Sequence, residues 1–203
     1  MRLDEDVEAK QLPALKPALR EWISVVKKTA RDWHRGKDQD SDIPFWYGER
    51  ANLSLFAGAL WLTDTLVFEE FSTTKHRAGR GSSGRADIWF KIRRQQFIGE
   101  VKHVRTNAAS DNKRLRAGMK EAVKCVREYR QLEAARLAMV FVTVEVLARD
   151  KPKVNDRLEK WIEQVQKLKC DALAWTFPKD WRDFQYKKGD RIFPGCALLI
   201  KTV

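Results

Sequence analysis

The chain has 203 residues, 43% hydrophobic and 33% charged, enough for one domain with a substantial core and too apolar for a disordered tail. Its net charge of +12 and pI near 9.8 point to a polyanionic partner such as nucleic acid. No apolar run has the length to span a bilayer, and four acids within Met1 to Lys10 argue against a signal peptide, so a cytoplasmic protein without a membrane partner is expected.

Leu15, Leu19, Trp22, Val25, Val26 and Ala30 recur at helical spacing and predict a helix over Leu15 to Trp33. The polar stretch Arg35 to Asp42 reads as a loop, so residues 1–42 are expected to form an N-terminal helical extension and residues 43–203 the main domain. A second helix is predicted from about Gly48 to Thr63, with Leu53, Phe56, Ala57, Leu60 and Trp61 on its apolar side and Glu49 in its first turn. Strand signals follow. Thr65 to Phe71 is rich in β-favouring residues, and Gly79 to Gly84 reads as a turn or loop. Arg85 to Ile92 alternates, with Ile88, Phe90 and Ile92 on one face and Asp87, Trp89 and Lys91 on the other. After the basic turn Arg93-Arg94-Gln95, the segment Gln96 to Val104 completes a hairpin in which Ile98, Glu100, Lys102 and Val104 share a face.

Asn112 to Arg136 reads as a long helix with an apolar stripe of Leu115, Met119, Ala122, Val126 and Tyr129. A second stripe, of Lys113, Arg116, Lys120, Lys124 and Arg127, is basic; it suits either a solvated face or a phosphate backbone. Ala138 to Val146 (AMVFVTVEV) is rich in apolar β-formers and predicts a strand buried on both faces, inside a sheet. A helix over Val154 to Leu168 and strands over Ala172 to Phe177 and Cys196 to Thr202 complete an α/β domain with a mixed central sheet flanked by helices. Cys125, Cys170 and Cys196 have no paired spacing, and His34, His76 and His103 are too scattered for a zinc site.

Charge is concentrated where the chemistry is. Between Phe71 and Ser110 there are nine Lys or Arg residues and two acids, Asp87 and Glu100. A hard cation such as Mg²⁺, with Mn²⁺ as a substitute, needs few protein oxygens, so two carboxylates with a main-chain carbonyl such as that of Val101 suffice. Lys102, two positions beyond Glu100, is placed to hold or deprotonate an attacking water. Trp89, on the Asp87 face, suits either core packing or stacking on a base. Arg80, Arg85, Arg93 and Arg94 are candidate contacts to a nucleic-acid backbone.

The segments Gly84-Arg85-Ala86-Asp87-Ile88 and Ile98-Gly99-Glu100-Val101-Lys102 resemble the PD-(D/E)XK nuclease superfamily. The resemblance implies a restriction-endonuclease-like αβββαβ core from Glu49 to Val146, metal binding by Asp87 and Glu100, and Lys102 as the catalytic lysine. It also implies a further acid from the preceding helix, for which Glu49 is the best match, and it departs from the family pattern in having Ala86 where a proline commonly stands. The function expected is a Mg²⁺-dependent endodeoxyribonuclease acting on DNA, with RNA as the other polyanion of the same chemistry, and a two-fold dimer or larger complex would suit cleavage of both strands. A non-catalytic nucleic-acid-binding or assembly module that keeps the fold is the alternative; it needs the basic surface but not the two acids and the lysine.

Overall fold

The computed structural model describes residues 3–34, 43–77, 80–129, 133–182 and 189–203. Helix α1 (Lys16–His34) buries Leu19, Trp22, Val26 and Ala30 along one stripe, and α2 (Glu49–Leu62) buries Leu53, Phe56, Ala57 and Leu60 in the same core. Strands β2 (Leu66–Arg77), β3 (Arg80–Ile92) and β4 (Gln95–Asn107) form an antiparallel meander. Helix α3 (Lys113–Val126) then crosses over and returns β5 (Ala135–Leu147) parallel to β4, as a crossover connection requires.

After α4 (Val154–Gln166), strands β6 (Ala172–Thr176) and β7 (Arg191–Thr202) add antiparallel pairs, and a short β1 (Glu5–Glu8) joins β6. The result is one seven-stranded mixed sheet of order β1-β6-β7-β5-β4-β3-β2. The core beneath α1 and α2 takes Ile88, Phe90, Phe97, Met139 and Phe141 from the sheet. On the opposite face α4 packs on Val142, Val144, Leu173 and Leu199, and α3 covers Ile98 and Ala138. Strand β5 is buried on both faces, as its largely apolar sequence predicts, with Thr143 and Glu145 buried among the aliphatic residues. Among the described residues no helix is long and apolar enough to cross a membrane.

Three expectations change. The helix expected to reach Arg136 stops at Val126, because the chain turns back to the sheet: the Glu128 carbonyl accepts from His76 N–H at 2.8 Å, Tyr129 is buried, and Arg136 already pairs with Ile98 in β5. The loop expected at Gly79 to Gly84 is largely strand, since Arg80 to Gly84 extends β3 against Thr73 to Arg77. Strand β1 has no counterpart in the sequence reading; its four residues carry one apolar side chain, too few for a period. The loop expected at 35–42 lies outside the described residues.

Candidate metal and nucleic-acid site

The site begins where the β3–β4 ladder stops. Pairing runs from Ile92 with Gln95 to Ile88 with Gly99, and the same register sets Asp87 opposite Glu100 one step beyond the last pair. On the other side of β3, Glu70 takes a left-handed φ of 54° and interrupts the β2 ladder opposite Asp87. A strand released from its neighbour leaves backbone donors to satisfy. The Val101 N–H is taken by Asp87 Oδ2 at 2.7 Å, and the His103 N–H by Glu49 Oε2 at 3.2 Å. Because the N–H and C=O of one strand residue point to the same side, the Val101 carbonyl also faces this fork.

Helix α2 delivers Glu49 from its first turn, where the N-terminal dipole favours a carboxylate. Glu49 Oε2 lies 3.5 Å from Lys102 Nζ. Helix α3 can seat closely on β4 because Gly118 faces it; a Cβ there would meet Val104 Cγ2 at 2.8 Å and Lys102 Cβ at 4.0 Å. The structure therefore brings Asp87 to Glu100 and Val101, and Glu49 to Lys102 and His103.

Glu100 has two neighbours that the sequence reading missed. Lys75 Nζ, from β2, lies 2.9 Å from Glu100 Oε1 and 5.1 Å from the centroid of the Tyr129 ring. The Tyr129 hydroxyl sits between the Glu100 carboxylate and the Arg85 carbonyl. Tyr129 reads in sequence as part of an apolar helical stripe, and Lys75 as one cation among nine; only folding places them on the acid.

Burial raises the pKa of Glu100, and Asp87 adds to the rise, while Lys75 and Lys102 oppose it. At Lys102 burial pulls downward, but Glu49 and Asp87, helped by Cys125 and Glu121, hold the ammonium above the ordinary lysine range. Lys102 is thus held as a cation in the metal-free protein, a state that suits holding water. His103 is held neutral, its pKa pushed down to about 4 by burial and by Arg105. Thr143 gives its one hydroxyl proton to the Phe45 carbonyl at 2.6 Å, so the 2.9 Å contact to His103 Nε2 has the imidazole as donor.

Among the described residues no three His, Cys, Asp or Glu side chains converge as a ready metal cluster. The donors come as the Asp87–Glu100 pair, the Val101 carbonyl and, from across β4, Glu49. These are hard oxygens, of the kind that a cation such as Mg²⁺ or Mn²⁺ takes, and Asp87 adds to the cost of charging Glu100.

The candidate nucleic-acid contacts are more dispersed. Arg85 is two residues from Asp87 and exposed, though Glu70 Oε2 lies 3.3 Å from its guanidinium. Arg80 and the turn residues Arg93 and Arg94 are exposed but lie six or seven residues from Asp87, about 20 Å of extended strand, so they do not border the acids. Arg93 and Arg94 instead line a cavity with Pro13, Pro17 and Asp64. The basic stripe of α3 is formed, but Glu121 and Cys125 are the α3 residues that act on Lys102, whereas Arg116 and Lys120 line a groove with Leu168, Leu199 and Lys201. Lys113 contacts Asp111 at 2.8 Å, and Lys124 and Arg127 are exposed. The stripe is turned away from the fork.

Comparison with protein families, with curated proteins and with solved structures finds no match.

Proposed function

We propose that the chain is a metal-dependent nuclease of the PD-(D/E)XK type, hydrolysing phosphodiester bonds in DNA at the β3–β4 fork. The carrying observation is the register that sets Asp87 opposite Glu100 where the ladder opens, with Lys102 two residues on along the same face and the Val101 carbonyl pointing inward. The order α2-β2-β3-β4-α3-β5, with β5 parallel to β4, supports a restriction-endonuclease-like αβββαβ core.

Asp87, Glu100 and the Val101 carbonyl would hold Mg²⁺, with Glu49 on the Lys102 side. When bound, the cation supplies positive charge for the scissile phosphate and makes water a competent nucleophile near neutral pH. Lys102, protonated and tethered by Glu49, orients that water by hydrogen bonding and offsets charge as the phosphorus–oxygen bond to the leaving sugar breaks. Lys75 neutralises Glu100 before the metal arrives. That last contact also favours a second reading: with Glu100 already satisfied by Lys75 and Tyr129, the fold can serve as a non-catalytic nucleic-acid-binding module.

The deciding experiment incubates the protein with circular and linear, single- and double-stranded DNA in Mg²⁺, Mn²⁺ or EDTA, beside Asp87→Asn. The amide retains an acceptor for the Val101 N–H while removing the charge, so fold and DNA affinity should persist and cleavage should vanish. Metal-dependent cutting by Asp87→Asn at the wild-type rate would sink the assignment; metal-independent DNA binding with no cutting by either protein would establish the module.

A further inference from the structure

The β2–β3–β4 meander carries two aromatic stacks on opposite faces. Phe90 lies on Phe97 with centroids 4.9 Å apart, both rings fully buried beneath α2. On the other face, toward α3, Trp89 lies between Phe71 and Phe68, at centroid distances of 5.9 and 5.7 Å and with interplanar angles of 25° and 29°. Phe71 and Trp89 are partly buried against the α3 cluster, but Phe68, directly across the ladder from Trp89, is 48% exposed. The surface continues through Leu66, 45% exposed, and ends at the exposed Lys91, its ladder partner. Trp89 is two residues from Asp87, about 7 Å along the strand.

We infer that Phe68 and Trp89 form a stacking platform for an unpaired base, and that the preferred substrate at the fork is a single strand or a junction with unpaired nucleotides. The inference deepens the nuclease reading and rests on it for the placement of the fork. Aromatic rings take any base through its π-face, but in a continuous duplex those faces are occupied by neighbouring pairs, so only an unpaired base can use the platform. Charge still favours nucleic acid over a protein partner: Lys91 ends the strip, and although Glu69 and Glu70 lie within it and Glu70 pairs with Arg85, Leu66 to Arg105 holds nine basic residues against four acids. A base on Phe68 and Trp89 leaves its backbone running toward Asp87 and Glu100.

The test measures binding to a labelled single strand and to the matching duplex in EDTA, where no cleavage occurs, for wild type, Phe68→Ala, Phe68→Leu and Phe68→Trp. Phe68 is half-exposed and outside the fork, and circular dichroism confirms the fold of each variant. Phe68→Ala and Phe68→Leu should weaken single-strand binding about tenfold while changing duplex binding less than about twofold, and Phe68→Trp should restore it. The salt slope for the single strand should not change, because every phosphate keeps its cation. Equal weakening on both ligands, or none on the single strand, overturns the platform. A change of oligomeric state by light scattering in Phe68→Ala also overturns it, since the surface would then belong to a protein partner. Ring-dependent single-strand binding without any Mg²⁺- or Mn²⁺-dependent cleavage overturns the nuclease reading and leaves the platform standing.

Discussion

Glu100 is a carboxylate 4% exposed with Asp87 opposite it, and Lys75 is the cation that the fold spends on it. Removing one partner of a buried pair leaves an uncompensated charge, so Lys75→Met should destabilise the metal-free protein by about 3 kcal/mol, a figure for urea unfolding in EDTA to check. If a divalent cation occupies the fork it replaces the missing charge, and Mg²⁺ should raise the melting temperature of Lys75→Met more than that of wild type; equal shifts would separate Lys75 from the metal site. His103 gives a pH dependence. Its imidazole titrates near 6.5 when unfolded and about 4 when folded, so between these values the unfolded chain holds more protons. Its share of stability is complete above about pH 6.5 and is lost as pH falls toward 4, about 2 kcal/mol after discounting for its partial exposure. His103→Gln, which keeps a donor for Thr143, should flatten that limb of the stability curve measured in EDTA. At this scale the sequence showed the groups that chemistry makes rare: two lone acids in a basic stretch, and a lysine two residues on. It did not show Lys75 or Tyr129, whose role comes from β2 and the end of α3 meeting over β4.

Elements were legible where one face is buried and obscure where none is. The stripe of α1, that of α2 except for Trp61, which is 58% exposed, and the largely apolar run of β5 match their burial, because the same contacts that produce the period fix the structure. Arg80 to Gly84 has only glycine, serine and arginine, since that end of the β2–β3 hairpin is largely open to solvent, and a strand without a buried face has no alternation to read. The end of α3 was hidden for another reason: no Pro or Gly stands between Val126 and Arg136, and the stop is imposed by the Glu128 carbonyl pairing with His76. Gly195 is the element-level position where backbone chemistry decides. It lies in β7 with φ of 153°, next to the irregularity between Val144 and Val146 of β5, and a Cβ there would overlap the Thr176 carbonyl of β6. Gly195→Ala should therefore cost more than about 2 kcal/mol in urea unfolding, from backbone strain and a clash between paired strands. A destabilisation below about 0.5 kcal/mol would show that the β6–β7 register relaxes freely around it.

At the scale of the whole molecule, a charge of +12 draws a polyanion from any direction, and on the nuclease reading the cations beside the fork should act differently from those along α3. Arg85 stands two residues from Asp87 on β3, whereas Lys120 and Lys124 stand on the side of α3 turned away from Lys102. Both sets can neutralise phosphates, and each neutralised phosphate releases counterions whether or not the site is near. Neutralising Lys120 and Lys124 together should weaken binding to all sequences alike and flatten the slope of log affinity against log salt by about 0.9 for each phosphate left without its cation on duplex, and by about 0.7 on a single strand. The rate at saturating DNA should stay at the wild-type value, because neither residue faces the fork. Arg85→Gln should lower that rate as well as the affinity, since Arg85 stands two residues from Asp87 and its side chain pairs with Glu70, the residue opposite Asp87 in the β2–β3 register. Titrations at several salt concentrations, paired with single-turnover cleavage, separate the two effects. An unchanged salt slope in the Lys120/Lys124 double variant would remove α3 as a nucleic-acid track, and a fall in its saturated rate would mean that DNA bound along α3 also reaches across to Asp87 and Glu100.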